Sequence, residues 1–191
     1  MTGWPKEKPS VLPRLHGWFS DSNKDFLSCF VGEGDIVIEI GAWLGKSTLW
    51  LAEKVGPKGR VISIDHFEGS FEHKTDPDAA AILPILWETY VVNCWEMRER
   101  IFPVRADSKD ALPYLHSSGV EPTVIYVDGS HSYDDVVRDL CLCLCLWPKA
   151  RIIGDDFEME SVMKAAFHVA SAFRRDIAGN KRCFTFTPHV R

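Results

Sequence analysis

Positive charge is in short supply in this 191-residue chain: 22 Lys and Arg stand against 27 Asp and Glu, a formal net charge of −5. That balance argues against nucleic acid or an anionic membrane as the main partner. Long apolar runs are lacking too; no stretch approaches the ~20 residues a spanning helix needs, so no membrane partner is expected. The opening MTGWPKEKPS has no apolar core of a secretory signal, which makes the cytoplasm the expected location. The six cysteines, at 29, 94, 141, 143, 145 and 183, include no C-x-x-C pair. That absence excludes a zinc knuckle and leaves reduced, packed thiols as the expectation. G-x-G-x-x-G is absent, and with it the fingerprint of a nicotinamide oxidoreductase. A phosphate loop is absent as well. Lys46-Ser47 follows the lone Gly45, and the position where that loop needs its first glycine holds Ile40. No internal repeat is present. The length suits one domain, and 46% hydrophobic content is ordinary for a globular core.

What is there is an alternation. Ile36, Val37, Ile38 and Ile40 surround Glu39 and read as a buried parallel strand. Gly41 ends it, and Leu44, Thr48, Leu49 and Leu51 fall at helical spacing straight after. Glycines at 41 and 45 allow a tight turn and close backbone approach to a ligand. The free N–H groups that open the helix favour an anionic group. Further strands are expected at 60–64, 101–105, 123–127, 150–153 and 183–187. Helices are expected at 21–31, from the Gly-turn to about 55, and at 80–98, 108–116, 132–146 and 160–174, with Pro84 breaking or beginning the third. Residues 1–20 read as an extended or frayed arm, and 21–191 as a single domain with an irregular insertion near 66–80. The alternation implies an α/β fold: an open, mostly parallel sheet of about six or seven strands with helices on both faces. Such sheets bind ligands at the carboxyl ends of their strands, near the switch point of strand order.

The acids lie at those ends. Asp65, Asp107, Asp128 and Asp155 each follow an apolar strand, as Gly41 does. Asp65, 24 residues beyond Gly41, is placed to accept from both hydroxyls of a ribose, with His66 and Phe67 flanking an adenine. Asp107 and Ser108 would meet the adenine edge, or Asp107 would simply cap a helix. Asp128 with Asp155 and Asp156 would hold a hard cation through oxygen ligands, Mg²⁺ first and Ca²⁺ or Mn²⁺ otherwise; the competing reading makes Asp155 and Asp156 helix caps. His131, three residues after Asp128 in VDGSHSY, would serve as general base for a hydroxyl, or be a structural histidine. Cys141, Cys143 and Cys145 read as packed small apolar residues.

Taken in order, EIGAWLGKST, SIDHF, VDGSHSYDDVVRDL and IIGDDF resemble the small class I S-adenosylmethionine-dependent methyltransferases of catechol O-methyltransferase-like arrangement, the bacterial sugar and natural-product O-methyltransferases among them. The resemblance spans about residues 17–175 and implies a Rossmann-like fold. It implies that Glu39, Gly41, Ala42, Trp43, Gly45 and Ser47 cradle the methionine part of S-adenosylmethionine. It also implies that Asp65 takes the ribose, that Asp107 and Ser108 border the adenine, and that Asp128, Asp155 and Asp156 hold Mg²⁺. Catechol-type enzymes carry a lysine base where this chain has His131. The expected activity is methyl transfer to an oxygen of a small-molecule acceptor. Its rivals are a metal-independent methyltransferase and a non-catalytic S-adenosylmethionine-binding protein. The family core ends in a two-strand hairpin, whereas the tail here reads as one strand, leaving an edge that could pair with another subunit in a homo-oligomer.

Overall fold

The computed structural model describes residues 3–188; residues 1–2 of the expected arm and 189–191 of the expected domain lie outside the described residues. The elements are α1 (Asp21–Ser28), β1 (Ile36–Ile40), α2 (Lys46–Lys54), β2 (Arg60–Asp65), α3 (Phe71–Thr75), α4 (Pro77–Ala80), α5 (Leu86–Cys94), β3 (Ile101–Arg105), α6 (Ser108–Ser117), β4 (Val124–Val127), α7 (Tyr133–Leu146), β5 (Arg151–Gly154), α8 (Glu160–Phe173), β6 (Arg175–Gly179) and β7 (Phe184–Pro188). They build one seven-stranded sheet in the order β3-β2-β1-β4-β5-β7-β6. β1 to β5 run parallel and β7 runs antiparallel to both neighbours.

The apolar strands follow from burial on both faces. On one face Ile38, Ile40, Ile64 and Ile125 pack with Leu112 of α6, Leu140 of α7 and Val169 of α8. On the other, Val37, Val61, Val124 and Ile153 pack with Leu27 of α1, Leu51 of α2 and Tyr90 of α5. Alternation along each strand thus sends successive residues into two cores, and truncating a residue such as Leu140 to alanine costs about 2–5 kcal/mol. Strand order reverses between β1 and β4, which opens a crevice at their carboxyl ends.

Three expectations need correction. The tail holds two strands. Arg174, at φ +51°, turns the chain out of α8 directly into β6, and Asn180 closes the hairpin by accepting from the Arg182 and Cys183 N–H groups. RDIAG hid this strand because it is a half-exposed edge without alternating burial. The insertion is partly helical: Asp76 caps α4 by accepting from Asp78 and Ala79, with Pro77 at the first position. Pro84 sits in a 3₁₀ turn, Leu83–Ile85, so the long expected helix begins only at Leu86. Residues 3–20 of the arm, without regular structure, are pinned: Trp4 Nε1 donates to Ile101 O at 2.7 Å, and the Arg14 backbone exchanges two hydrogen bonds with the Asn93 side chain. Of the three cysteines in α7, Cys143 is buried, Cys141 half-buried and Cys145 exposed, and all six cysteines are free thiols. No helix among the described residues is long and apolar enough to cross a membrane.

Candidate functional site

The β1–α2 turn builds one wall of the crevice. Gly41 adopts φ +89°, and a Cβ there would lie 1.9 Å from the Asp128 backbone oxygen. The glycine therefore lets the ends of β1 and β4 touch. Gly45, at φ +83°, starts α2 with room for the Cys94 thiol of α5. Between them Trp43 sits at φ +48°, a conformation that strains a bulky residue. Asp65 holds it there: one carboxylate oxygen accepts from the N–H of Ala42 at 3.0 Å and of Trp43 at 2.9 Å, the other from Phe67 N–H at 2.7 Å. Asp65 thus braces the turn while lining the cavity above it.

Beneath the turn lies Glu39, fully buried and accepting from the hydroxyls of Ser47, Thr48 and Ser63. Burial pushes its carboxyl up to about 7, against the pull of those three donors. Glu39 therefore supports the turn from behind instead of facing a ligand. Phe67 is likewise corrected: its ring packs on Trp87 and Tyr90 in the core, away from the cavity. His66 stays at the cavity, its Nδ1 accepting from Glu68 N–H. Asp107 caps α6 by accepting from Lys109 N–H and also pairs with the Lys109 ammonium at 3.0 Å. Ser108 donates to the buried Asp139, which Arg138 also contacts at 3.2 Å.

The opposite wall is built from charge. Asp128 ends β4, His131 stands on the turn entering α7, and Asp156 follows β5 at φ +52°. One ligand atom from each lies within 4.8 Å of the others, and His131 Nε2 is 2.8 Å from Asp156 Oδ2. Burial, then the charges of Asp155 and Asp156, push the Asp128 carboxyl well above the usual range. Burial acts the same way on Asp156, but His131 and Arg182 together outweigh it and hold that carboxyl below its ordinary value.

Asp155 does not join this group. It points behind the strand ends, accepting from Asn23 Nδ2 at 2.6 Å and from the Tyr126 hydroxyl at 2.8 Å. The helix-cap alternative also fails: Met159 is the N-cap of α8, without a side-chain bond. The three-acid cluster expected from sequence is thus two acids and an imidazole. Two carboxylates and one nitrogen can hold a divalent cation, with less preference for Mg²⁺ than an all-oxygen set has.

Both walls enclose one cavity of about 760 Å³, lined among others by Gly41, Ala42, Trp43, Ser47, Asp65 and Asp128. Sequence reasoning missed Arg182, delivered by the β6–β7 turn. Its guanidinium lies 3.2 Å from Asp156 and 2.9 Å from Glu158, and it donates to Trp18 O at 3.4 Å. It missed Trp18 as well. With Trp43 and His73 that ring closes the mouth: Trp43 and His73 stack at 4.0 Å, and Trp18 lies 5.5 Å from His73. An aromatic residue in an arm carries no periodic signal that could have announced Trp18, whereas Trp43 and His73 were legible as candidates for lining a pocket.

A family model described as a methyltransferase domain matches residues 38–157. No curated protein sequence matches the chain. Among solved structures, cofactor-bound Rv0187 from MTB is similar over 94% of this chain and 84% of its own, at 20% identity and TM-score 0.58. The O-methyltransferase from Bacillus cereus in complex with SAH is similar over 88% and 82%, at 18% identity and TM-score 0.58. CalS11, a TDP-rhamnose 3′-O-methyltransferase of calicheamicin biosynthesis, is similar over 87% and 76%, at 13% identity and TM-score 0.56. At these identities the likeness is one of fold.

Proposed function

The chain belongs to the methyltransferase family, and from that premise we propose that it moves the methyl group of S-adenosylmethionine to a hydroxyl oxygen of a small acceptor. The observation that carries this reading is the His131–Asp156 pair at 2.8 Å, set beside Asp128 and facing the Gly41–Trp43 turn across one crevice. When bound, S-adenosylmethionine supplies a sulfonium methyl ready for in-line displacement. The chain's own residues do the rest. The turn and Asp65 shape the cofactor wall, with Asp107 and Ser108 toward the base end. The acidic lining suits the positive sulfonium and amino groups. Asp156 orients the His131 imidazole, which takes the proton of the acceptor hydroxyl, and the resulting imidazolium is stabilised by that carboxylate. Trp18, Trp43 and His73 exclude water from the mouth.

A second reading is supported by the mutual distances of Asp128, His131 and Asp156. These three would hold a divalent cation, Mg²⁺ or Mn²⁺, with Asp155 left out. Such an ion supplies Lewis acidity that lowers the pKa of a hydroxyl bound to it. The test is transfer of label from methyl-labelled S-adenosylmethionine to a panel of hydroxylated acceptors, with and without EDTA. His131→Ala is expected to bind the cofactor as before and to lose transfer. An unchanged rate in that variant would remove the proposed base. A wild-type rate abolished by EDTA and restored by Mn²⁺ would select the second reading.

A further inference from the structure

Resting on the methyl-transfer reading, we propose that Tyr126 is a positioning residue for Asp128: its hydroxyl fixes that carboxyl from behind the cavity wall. The placement follows from the sheet. Tyr126 and Asp128 stand two residues apart at the end of β4, so their side chains leave the same face. The β4–β5 register sets Tyr126 beside Ile153, and Asp155, two residues further on, comes out next to Asp128. Asp128 lines the cavity, whereas Tyr126 is fully buried behind it, in the core with Leu27, Tyr90 and Ile153.

The hydroxyl faces two carboxyls with one proton. Its oxygen lies 2.8 Å from Asp155 Oδ2 and 3.3 Å from Asp128 Oδ2. The shorter contact marks Asp155 as the present recipient. Asp155 has donors to spare. Asn23 Nδ2 donates to it at 2.6 Å, the Cys183 thiol donates at 3.4 Å, and the Arg182 guanidinium stands 3.5 Å away. For Asp128, the side-chain donor among the described residues is the Tyr126 hydroxyl. Asp155 therefore loses little by releasing that proton, because three partners remain, and Asp128 gains its bond from behind. Turning the O–H suffices for the exchange, and the packed ring stays where it is. Hydrogen bonds of this kind run long in a free enzyme and tighten when ligands arrive.

Asp128 is where such a restraint matters. One ligand atom from it lies within 4.8 Å of its counterparts on His131 and Asp156, so a small rotation of its carboxyl changes the whole group. A misplacement of about 1 Å in a reacting constellation costs up to about 10²-fold in rate. Asn23 joins the same chain of contacts from α1: its Oδ1 accepts from Ser20 N–H at 2.9 Å while its Nδ2 holds Asp155. The end of the arm is thereby tied to the hydroxyl that steadies Asp128.

The experiment compares Tyr126→Phe, Asn23→Ala and the double variant. Each is measured for kcat and KM in methyl transfer, for calorimetric affinity toward S-adenosylhomocysteine, and for thermal unfolding. Transfer is followed on the member of the hydroxylated panel, 4-methylcatechol and methyl rhamnoside included, that the wild type methylates fastest. Phenylalanine keeps the ring and removes only the hydroxyl. Tyr126→Phe is expected to lower kcat at least tenfold, with acceptor KM and S-adenosylhomocysteine affinity within twofold of wild type. Asn23→Ala takes a donor from Asp155, commits the hydroxyl to that residue, and is expected to lower kcat about threefold. The double variant is expected to lose no more than Tyr126→Phe alone, since no hydroxyl is left to steer. The proposal is overturned if Tyr126→Phe keeps kcat within threefold of wild type, if KM or cofactor affinity carries the loss, if the two single losses multiply in the double variant, or if Tyr126→Phe does not fold. Each of these would make the hydroxyl a structural group only. A wild-type protein that binds S-adenosylmethionine and methylates no member of the panel would strike the methyl-transfer reading, and this proposal with it.

Discussion

On the β1–β2 side of the crevice the restraints are made by backbone and hydroxyl groups. Asp65 accepts three main-chain N–H bonds, Gly41 lets two strand ends meet, and Glu39 gathers three hydroxyls underneath. On the β4–β5 side charged side chains face one another: His131 against Asp156, Arg182 against Asp156 and Glu158, and Asp128 in between. The first side is shaped before any ligand arrives. The second stores repulsion that a proton, a cation or a substrate relieves. On the methyl-transfer reading the difference is a division of labour: rigidity for binding, stored charge for chemistry.

Substitutions can break or sharpen that contrast. The largest effect belongs to the place where the two sides touch. Gly41→Ala puts a methyl 1.9 Å from a backbone oxygen and forces a positive φ on alanine, so both sides should fail together. A loss of about 4 kcal/mol or more in denaturant unfolding is expected; normal stability would show that the strand ends can part freely. Next comes Asp128→Asn, confined to the charged side. On the cation reading turnover should fall by orders of magnitude while cofactor affinity holds. Because a buried like charge is removed, the melting temperature should rise, in a trade of activity for stability. A fall in both would erase the distinction.

Asp65→Asn tests the other side. It replaces a carboxylate facing backbone donors with an amide that carries donors of its own, at a cost of about 1.5–3 kcal/mol. Cofactor affinity should drop, while acceptor affinity, measured at saturating cofactor, stays near wild type. The last test is the pH dependence of Glu39. Its folded value of about 7 lies above the ordinary 4.5, so between those limits the folded state binds more protons than the unfolded one. Stability is therefore present in full below about 4.5 and declines as pH rises toward 7, by up to about 3 kcal/mol. Glu39→Gln should flatten that decline in unfolding curves taken from pH 4.5 to 8.

Much of the frame was legible because it is written in short-range pattern. Apolar runs ending in Gly or Asp gave the parallel strands, and their shared carboxyl edge drew Asp65, Asp128, His131 and Asp156 toward one cavity. What escaped depends on direction. Asp155 and Asp156 are neighbours in sequence, yet the positive φ of Asp156 sends one side chain toward the cavity and the other back to Asn23 and Tyr126. Glu39 and Ile40 part in the same way across the sheet, so a glutamate expected to face the ligand faces the core. β6 escaped because an exposed edge strand has no burial pattern to read, and with it went Arg182, which only the completed hairpin brings to the site. Trp18 escaped because it meets Trp43 and His73 only through tertiary packing of the arm, which no spacing encodes.

The strap formed by the arm has one more implication. Gly17 O accepts from Lys46 on one jaw of the crevice, and the next carbonyl, that of Trp18, accepts from Arg182 on the other. Two consecutive peptide groups are therefore stitched to opposite jaws. The strap cannot lift at one jaw without straining the other, so it swings aside only when both stitches yield. On the methyl-transfer reading, both stitches would have to yield together for spent cofactor and product to leave past the strap.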